Sequence, residues 1–166
     1  MNRFFVIFFT FFIWGSTYAH DFYVDGIYYQ IMSPTKQIAA VTHKTGEYNS
    51  YSGDIVIPET VTYNDTVYSV KSIELEAFAL SEGLTSIIIP NSIDTIAPFA
   101  FFDCSNLALI TIPNTTKYIG AAAFKGCKNI TSINLPDSIR SIEGFMFSSC
   151  TNLKNIKIPN TVTHIL

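Results

Sequence analysis

The chain has 166 residues, of which 14% are charged and 14% aromatic, with a net charge of −3. That balance argues against nucleic acid as a partner, which needs a basic footprint, and no lysine- or arginine-rich run suits an anionic membrane surface. The length suits one elongated domain.

Asn2 and Arg3 give a short positive start, Phe4 to Trp14 is apolar apart from Thr10, and Gly15 to Ala19 ends in a small residue. This pattern predicts a secretory signal peptide over 1–19, cleaved after Ala19. The apolar run is too short for the roughly 20 residues of a spanning helix, so no membrane insertion is expected after cleavage. Six of the 14 phenylalanines leave with this segment, and loss of Arg3 takes the net charge from −3 to −4.

Residues 20–60 carry no repeat and read as an N-terminal antiparallel β cap. Phe22-Tyr23-Val24 and Ile27 to Ile31 flank Asp25-Gly26, a strong hairpin signal because both turn positions tolerate positive φ. Ile38 to Thr42 reads as a third strand and 48–53 as polar loop. Ile55-Val56-Ile57-Pro58 resembles the end of a repeat strand, and Tyr63-Asn64-Asp65-Thr66 a hairpin tip.

From residue 61 the chain is organised in units at 61–83, 84–106, 107–129 and 130–152, with a partial unit at 153–166. Pro90, Pro113, Pro136 and Pro159 are spaced 23 residues apart. Ile87, Ile110, Ile133 and Ile156 keep the same step, as do Ile96, Ile119, Ile142 and Ile165. So do Phe101, Phe124 and Phe147, and Cys104, Cys127 and Cys150. A fixed period of this size marks a stacked-repeat architecture, whose units bury their apolar faces on their neighbours.

Within a unit, Leu84 to Ile89 is short and β-branched, hence a strand with Ile87 and Ile89 facing inward and Ser86 and Ile88 outward. Pro90 ends it, and Pro98 to Cys104 is expected to form one helical turn that aims Phe101 at the core. Asn106, Asn129 and Asn152 are placed to satisfy backbone groups at the corner before the next strand. The expected fold is a β-rich α/β solenoid: a parallel ladder with short helical turns, preceded by the antiparallel cap.

The complete pattern, L-x-x-I-x-I-P-x-S-[IV]-x-x-I-x-x-x-A-F-x-x-C-x-N, resembles the BspA-like bacterial leucine-rich repeat family. Residues 84–152 hold three full copies. The segments 55–83 and 153 onward match in part. The resemblance implies a right-handed leucine-rich repeat solenoid, secreted or at the cell surface, used for adhesion and protein binding. It implies no catalysis and carries no residue-level site. The chain stops at Leu166 within a unit, so it reads as a truncated member. Its strand edge Leu153 to Ile158 is expected to fray or to mediate self-association.

Cys104, Cys127 and Cys150 recur in one inward slot and are expected to be buried and unbridged. No Cys-x-x-Cys or histidine pair suggests a metal, and His20, His43 and His164 are scattered along the chain. No nucleophile, phosphate-loop or calcium-loop motif is present, so no cofactor and no catalytic residue is expected. The candidate binding residues are the outward strand positions Ser86, Ile88, Leu109, Thr111, Ser132, Asn134, Asn155 and Lys157. They suit a protein ligand at the cell surface. Two further readings stay open. One is a carbohydrate-binding or accessory module of a glycan-degrading system, although these slots hold no Trp or Tyr. The other is a purely structural fragment of a longer surface protein.

Overall fold

The computed structural model describes residues 20–166. The signal peptide expected over 1–19, with its cleavage after Ala19, lies outside them. Phe22–Val24 (β1) and Ile27–Ser33 (β2) pair antiparallel around Asp25 and Gly26, whose φ angles of 49° and 85° make the tight turn. β2 then pairs antiparallel with Ile38–Thr42 (β3). After Ser52–Val56 (β4), Thr60–Tyr63 (β5) and Thr66–Ile73 (β6) form a second hairpin, turned by left-handed Asn64 and Asp65. Each following unit supplies a longer and a shorter strand. These are Gly83–Ile88 (β7) and Thr95–Ile96 (β8), Leu109–Thr111 (β9) and Tyr118–Ile119 (β10), Ser132–Asn134 (β11) and Ser141–Ile142 (β12), then Asn155–Lys157 (β13) and His164–Ile165 (β14).

Two parallel ladders result. The first runs β4–β7–β9 and resumes as β11–β13; the second runs β3–β6–β8–β10 and resumes as β12–β14. The isoleucine slots meet in register, with Ile55 opposite Ile87, Ile87 opposite Ile110, and Ile133 opposite Ile156. Alternation acts as the sequence predicts: Ile87 and Ile89 are buried while Ile88 points outward. Each repeat proline opens a turn. The carbonyls of Pro90, Pro113, Pro136 and Pro159 accept the N–H groups of Ile93, Thr116, Ile139 and Val162.

The third side of the stack departs from expectation. The described residues contain no helix, so the helical turn expected at Pro98–Cys104 is replaced by a chain of β-turns. Two residues per unit are left-handed: Glu76 and Leu80, Phe99 and Asp103, Ala122 and Gly126, Phe145 and Ser149. A helix directs every N–H along its own axis. Here the direction alternates. Ala100, Phe102 and Cys104 donate to the carbonyls of Ala97, Phe99 and Phe101, three residues back. Phe99, Phe101 and Asp103 donate instead to Ala121, Ala123 and Lys125 of the next unit. Glu76, Phe78 and Leu80 do the same one unit earlier, and Ala122, Phe124 and Gly126 one unit later. The left-handed residues turn these N–H groups outward, making the turn side a third set of bonds between units.

This arrangement aims one aromatic ring per unit at the core. Phe78, Phe101, Phe124 and Phe147 stack almost parallel, with successive centroids 5.0, 5.4 and 5.8 Å apart, within the range of favourable offset stacking. Tyr51 heads the column, 4.4 Å from Phe78. It lies in a segment whose sequence reads as polar loop, yet it is buried. Its hydroxyl donates to the carbonyl of Thr42 and accepts the N–H of Tyr28, satisfying a buried polar group.

The cysteines sit beside this column. Cys104 and Cys127 are fully buried, but Cys150 is only half-buried, which corrects the uniform burial read from their shared slot. All three are free thiols. The Sγ atoms of Cys104, Cys127 and Cys150 donate to the carbonyls of Phe78, Phe101 and Phe124, one unit back, at 2.9, 3.1 and 3.0 Å. Burial pushes the Cys104 thiol up to about 12 and raises those of Cys127 and Cys150. Ser81 takes the equivalent slot in the first unit and is buried, with its hydroxyl unpaired. At the preceding corner, Asn106 donates from its amide to the carbonyl of Glu82 at 2.9 Å, whereas Asn129 reaches the side chain of Asn106 instead.

Two outcomes follow. Phe124→Ala empties the middle of the aromatic column and should cost about 3–5 kcal/mol, whereas Phe147→Ala, at a half-buried ring, should cost less. Urea unfolding measures both, and an unchanged midpoint for Phe124→Ala would contradict the column. Native-state thiol labelling at pH 8 should reach Cys150 first, with Cys104 and Cys127 reacting only on unfolding. Because the folded thiol pKa lies above its unfolded value of 9.0, this contribution is complete below pH 9 and lost as pH rises toward about 12. Stability should therefore fall across that alkaline window.

Candidate binding surface

The outward faces of β4, β7, β9, β11 and β13 form one strip. Strand alternation puts two side chains per unit on it, and the register lines them up. One row runs Asp54, Ser86, Leu109, and the neighbouring row Val56, Ile88, Thr111. Beyond them Ser132 faces Asn155, and Asn134 faces Lys157. Of the eight positions singled out in the sequence, seven are exposed and Ser86 is half-buried.

Ser86 is less exposed because it is engaged. Its hydroxyl and that of Thr85 both donate to Asp54 Oδ1, each at 2.7 Å. These two hydrogen bonds, Ser86 first, hold the Asp54 carboxyl below its usual pKa and so keep it charged. Beside this anchored charge, Val56, Ile88 and Leu109 are 63%, 51% and 70% exposed. Large apolar groups on a regular strand face do not serve the core; grouped exposed apolar side chains mark contact surfaces. Asp54 and Val56 were missed in the sequence reading, although they occupy the slots of Ser86 and Ile88 one strand earlier. The Ile55-Val56-Ile57-Pro58 match was the available signal.

The strip is not uniform. Between β9 and β11 lies a cleft of about 220 Å³, lined by Ala108 to Ile112 and Thr131 to Asn134. Four of the eight candidate residues (Leu109, Thr111, Ser132 and Asn134) border it. Elsewhere, His20 and His43, separated in sequence, come within electrostatic reach around Thr45. Burial, the larger effect, lowers the His43 pKa. His164 lies apart from them, in β14. Among the described residues, no group of three or more His, Cys, Asp or Glu side chains is positioned to hold a metal ion.

The model of a BspA type leucine rich repeat region matches residues 71–166, in six copies. The chain belongs to the BspA-type leucine-rich repeat family. No curated protein matches it. Among solved structures, it is similar to a leucine rich cell surface protein from Faecalibacterium prausnitzii, at 25% identity and a TM-score of 0.62, covering 87% of this chain and 44% of that one. The pneumococcal vaccine antigen PcpA matches at 24% identity and a TM-score of 0.65, over 86% of this chain and 39% of that one. A leucine-rich repeat protein from Bacteroides ovatus matches at 24% identity and a TM-score of 0.53, over 88% and 55%. The chain therefore spans about half or less of the length of each. The Faecalibacterium and Bacteroides proteins are bacterial leucine-rich repeat proteins, and the family match indicates no enzymatic family. Among the described residues, no helix is long and apolar enough to cross a membrane.

Proposed function

We propose that this BspA-type chain is a secreted or cell-surface interaction module that binds a protein ligand, in adhesion, through the outward strip of its first ladder. The observation that carries the reading is the cluster of exposed Val56, Ile88 and Leu109 on three adjacent strands, beside the anchored carboxylate of Asp54. An apolar centre with a polar surround is the usual anatomy of a protein contact. β4, β7 and β9, which carry these three groups, are joined by backbone pairing, so they are presented with little ordering to be lost on binding. In this reading the β1–β3 meander acts as the cap of the stack, and no residue performs catalysis.

Binding of the labelled chain to epithelial cell layers tests the proposal. Leu109→Ser and Ile88→Asn install the residues that the 130–152 unit already carries in those slots, so unfolding midpoints should be unchanged. The double variant should lose at least about tenfold in affinity, the effect of a single central contact worth roughly 1.4 kcal/mol. Protease treatment of the cells should abolish binding by the parent chain. Unchanged binding by the double variant would overturn the assignment of the strip.

One observation favours the carbohydrate reading as a second possibility. Tyr23 is 57% exposed and lies against Tyr28, with ring centroids 4.6 Å apart, while His20 packs edge-on to Tyr28. That is an aromatic surface outside the strip. Loss of cell binding on glycosidase treatment and in Tyr23→Ala, with protease having no effect, would select it.

A further inference from the structure

The ladders are interrupted at one joint, between the units 107–129 and 130–152. In the first ladder, Ala108 N–H donates to Thr85 C=O and Lys154 N–H to Thr131 C=O, but the equivalent pair, Thr131 N–H and Ala108 C=O, is not bonded. On the other edge, Ile89 donates to Thr111 and Leu135 to Lys157, while Ile112 does not donate to Asn134. The second ladder repeats the pattern. Lys117 donates to Asp94 and Thr163 to Arg140, without a bond from Arg140 to Lys117. Gly120 donates to Ile96 and Leu166 to Ile142, without a bond from Glu143 to Ile119.

The turn side of the same joint is intact. Ala122, Phe124 and Gly126 donate to Gly144, Met146 and Ser148 at 2.9, 3.1 and 2.8 Å, and Cys150 Sγ reaches the carbonyl of Phe124. Two sides lack their backbone bonds, with the Ser138 hydroxyl donating to Thr116 C=O as the side-chain link between them, and one side keeps its full set, which is the geometry of a hinge. The packing agrees: Ile110 is half-buried at the parted face, whereas its counterparts Ile87 and Ile133 are buried. The Phe124–Phe147 spacing is the widest of the column at 5.8 Å. The preceding joint is tight, since a Cβ on Gly120 would lie 2.4 Å from Pro98 N.

We propose that the stack flexes at this joint, the units from residue 130 onward opening and closing against those before it, with the turn column 122–126 as the axis. Because the cleft between β9 and β11 lies on the outward strip, closing it brings Ser132 and Asn134 up to Leu109 and Thr111 and resets the strip's curvature. The hinge does not depend on the ligand reading: it rests on backbone bonds alone.

Amide hydrogen exchange on the full chain, resolved by residue, reads it directly. Ile112, Thr131, Arg140 and Glu143 should exchange at least about tenfold faster than Ile89, Ala108, Lys117 and Gly120, while Ala122, Phe124 and Gly126 stay slow. A cysteine pair at Leu109→Cys and Ser132→Cys should form a disulfide under mild oxidation, since closure brings the two strands to ladder spacing, and should slow exchange at all four sites. A control pair, Ser86→Cys and Leu109→Cys, spans a joint already closed and should leave those four amides unchanged. Equal protection on both sides of the joint would overturn the hinge. So would failure of the 109–132 bridge where the 86–109 bridge forms.

Discussion

Everything in this molecule depends on how the turn side divides its backbone hydrogen bonds. Alternate N–H groups close turns within a unit, and those between them cross to the next unit. A helix in this place would satisfy itself and offer its neighbours only side chains. The turn chain is therefore both the corner of each unit and its attachment to the following one. The attachment requires left-handed residues, which cost roughly 1–2 kcal/mol each when they are not glycine. That cost recurs in every unit and is offset by burial of one aromatic ring and by the inter-unit bonds themselves.

The other regularities follow from that corner. Because the bonds fall on every second residue and repeat in each unit, the phenylalanine slot always points in, with the alanine before it: Ala100 and Phe101, like Ala123 and Phe124, are buried together. The cysteine three residues later is carried to the carbonyl of the preceding unit's phenylalanine, which explains why a thiol recurs where size and one weak donor are both wanted. Where the strand ladders part, between residues 129 and 130, the turn column persists. The strands set the shape of the binding strip. The turn column keeps the units together.

The strand half of each unit was legible in the sequence. Ile87 and Ile89, separated by Ile88 and closed by Pro90, allow little except a strand with two inward residues. The outward candidates followed from the same alternation. The turn half was misread because Ala100, Phe101 and Cys104 have the apolar spacing of a helical turn, and three of the four residues at its first left-handed position are Glu76, Phe99 and Phe145, none of which announces positive φ. Tyr51 was missed because its neighbours Asn49, Ser50, Ser52 and Gly53 read as loop, whereas its burial is decided by Phe78 below it. The cleft beside Leu109 was illegible for another reason. It arises from backbone bonds left unmade, and no side-chain pattern records those.

Ala122 tests the left-handed corner most directly, because the two descriptions of it predict opposite signs. Its φ is 55° and its side chain is buried in the turn column. If the corner is left-handed, Ala122→Gly relieves the clash of Cβ with the following carbonyl and should raise the unfolding free energy by on the order of 1 kcal/mol. If the segment were helical, the same change should lower it by about 1 kcal/mol. Urea unfolding of the parent and the variant decides between them: a higher midpoint is the expected result, and a lower one would contradict the account.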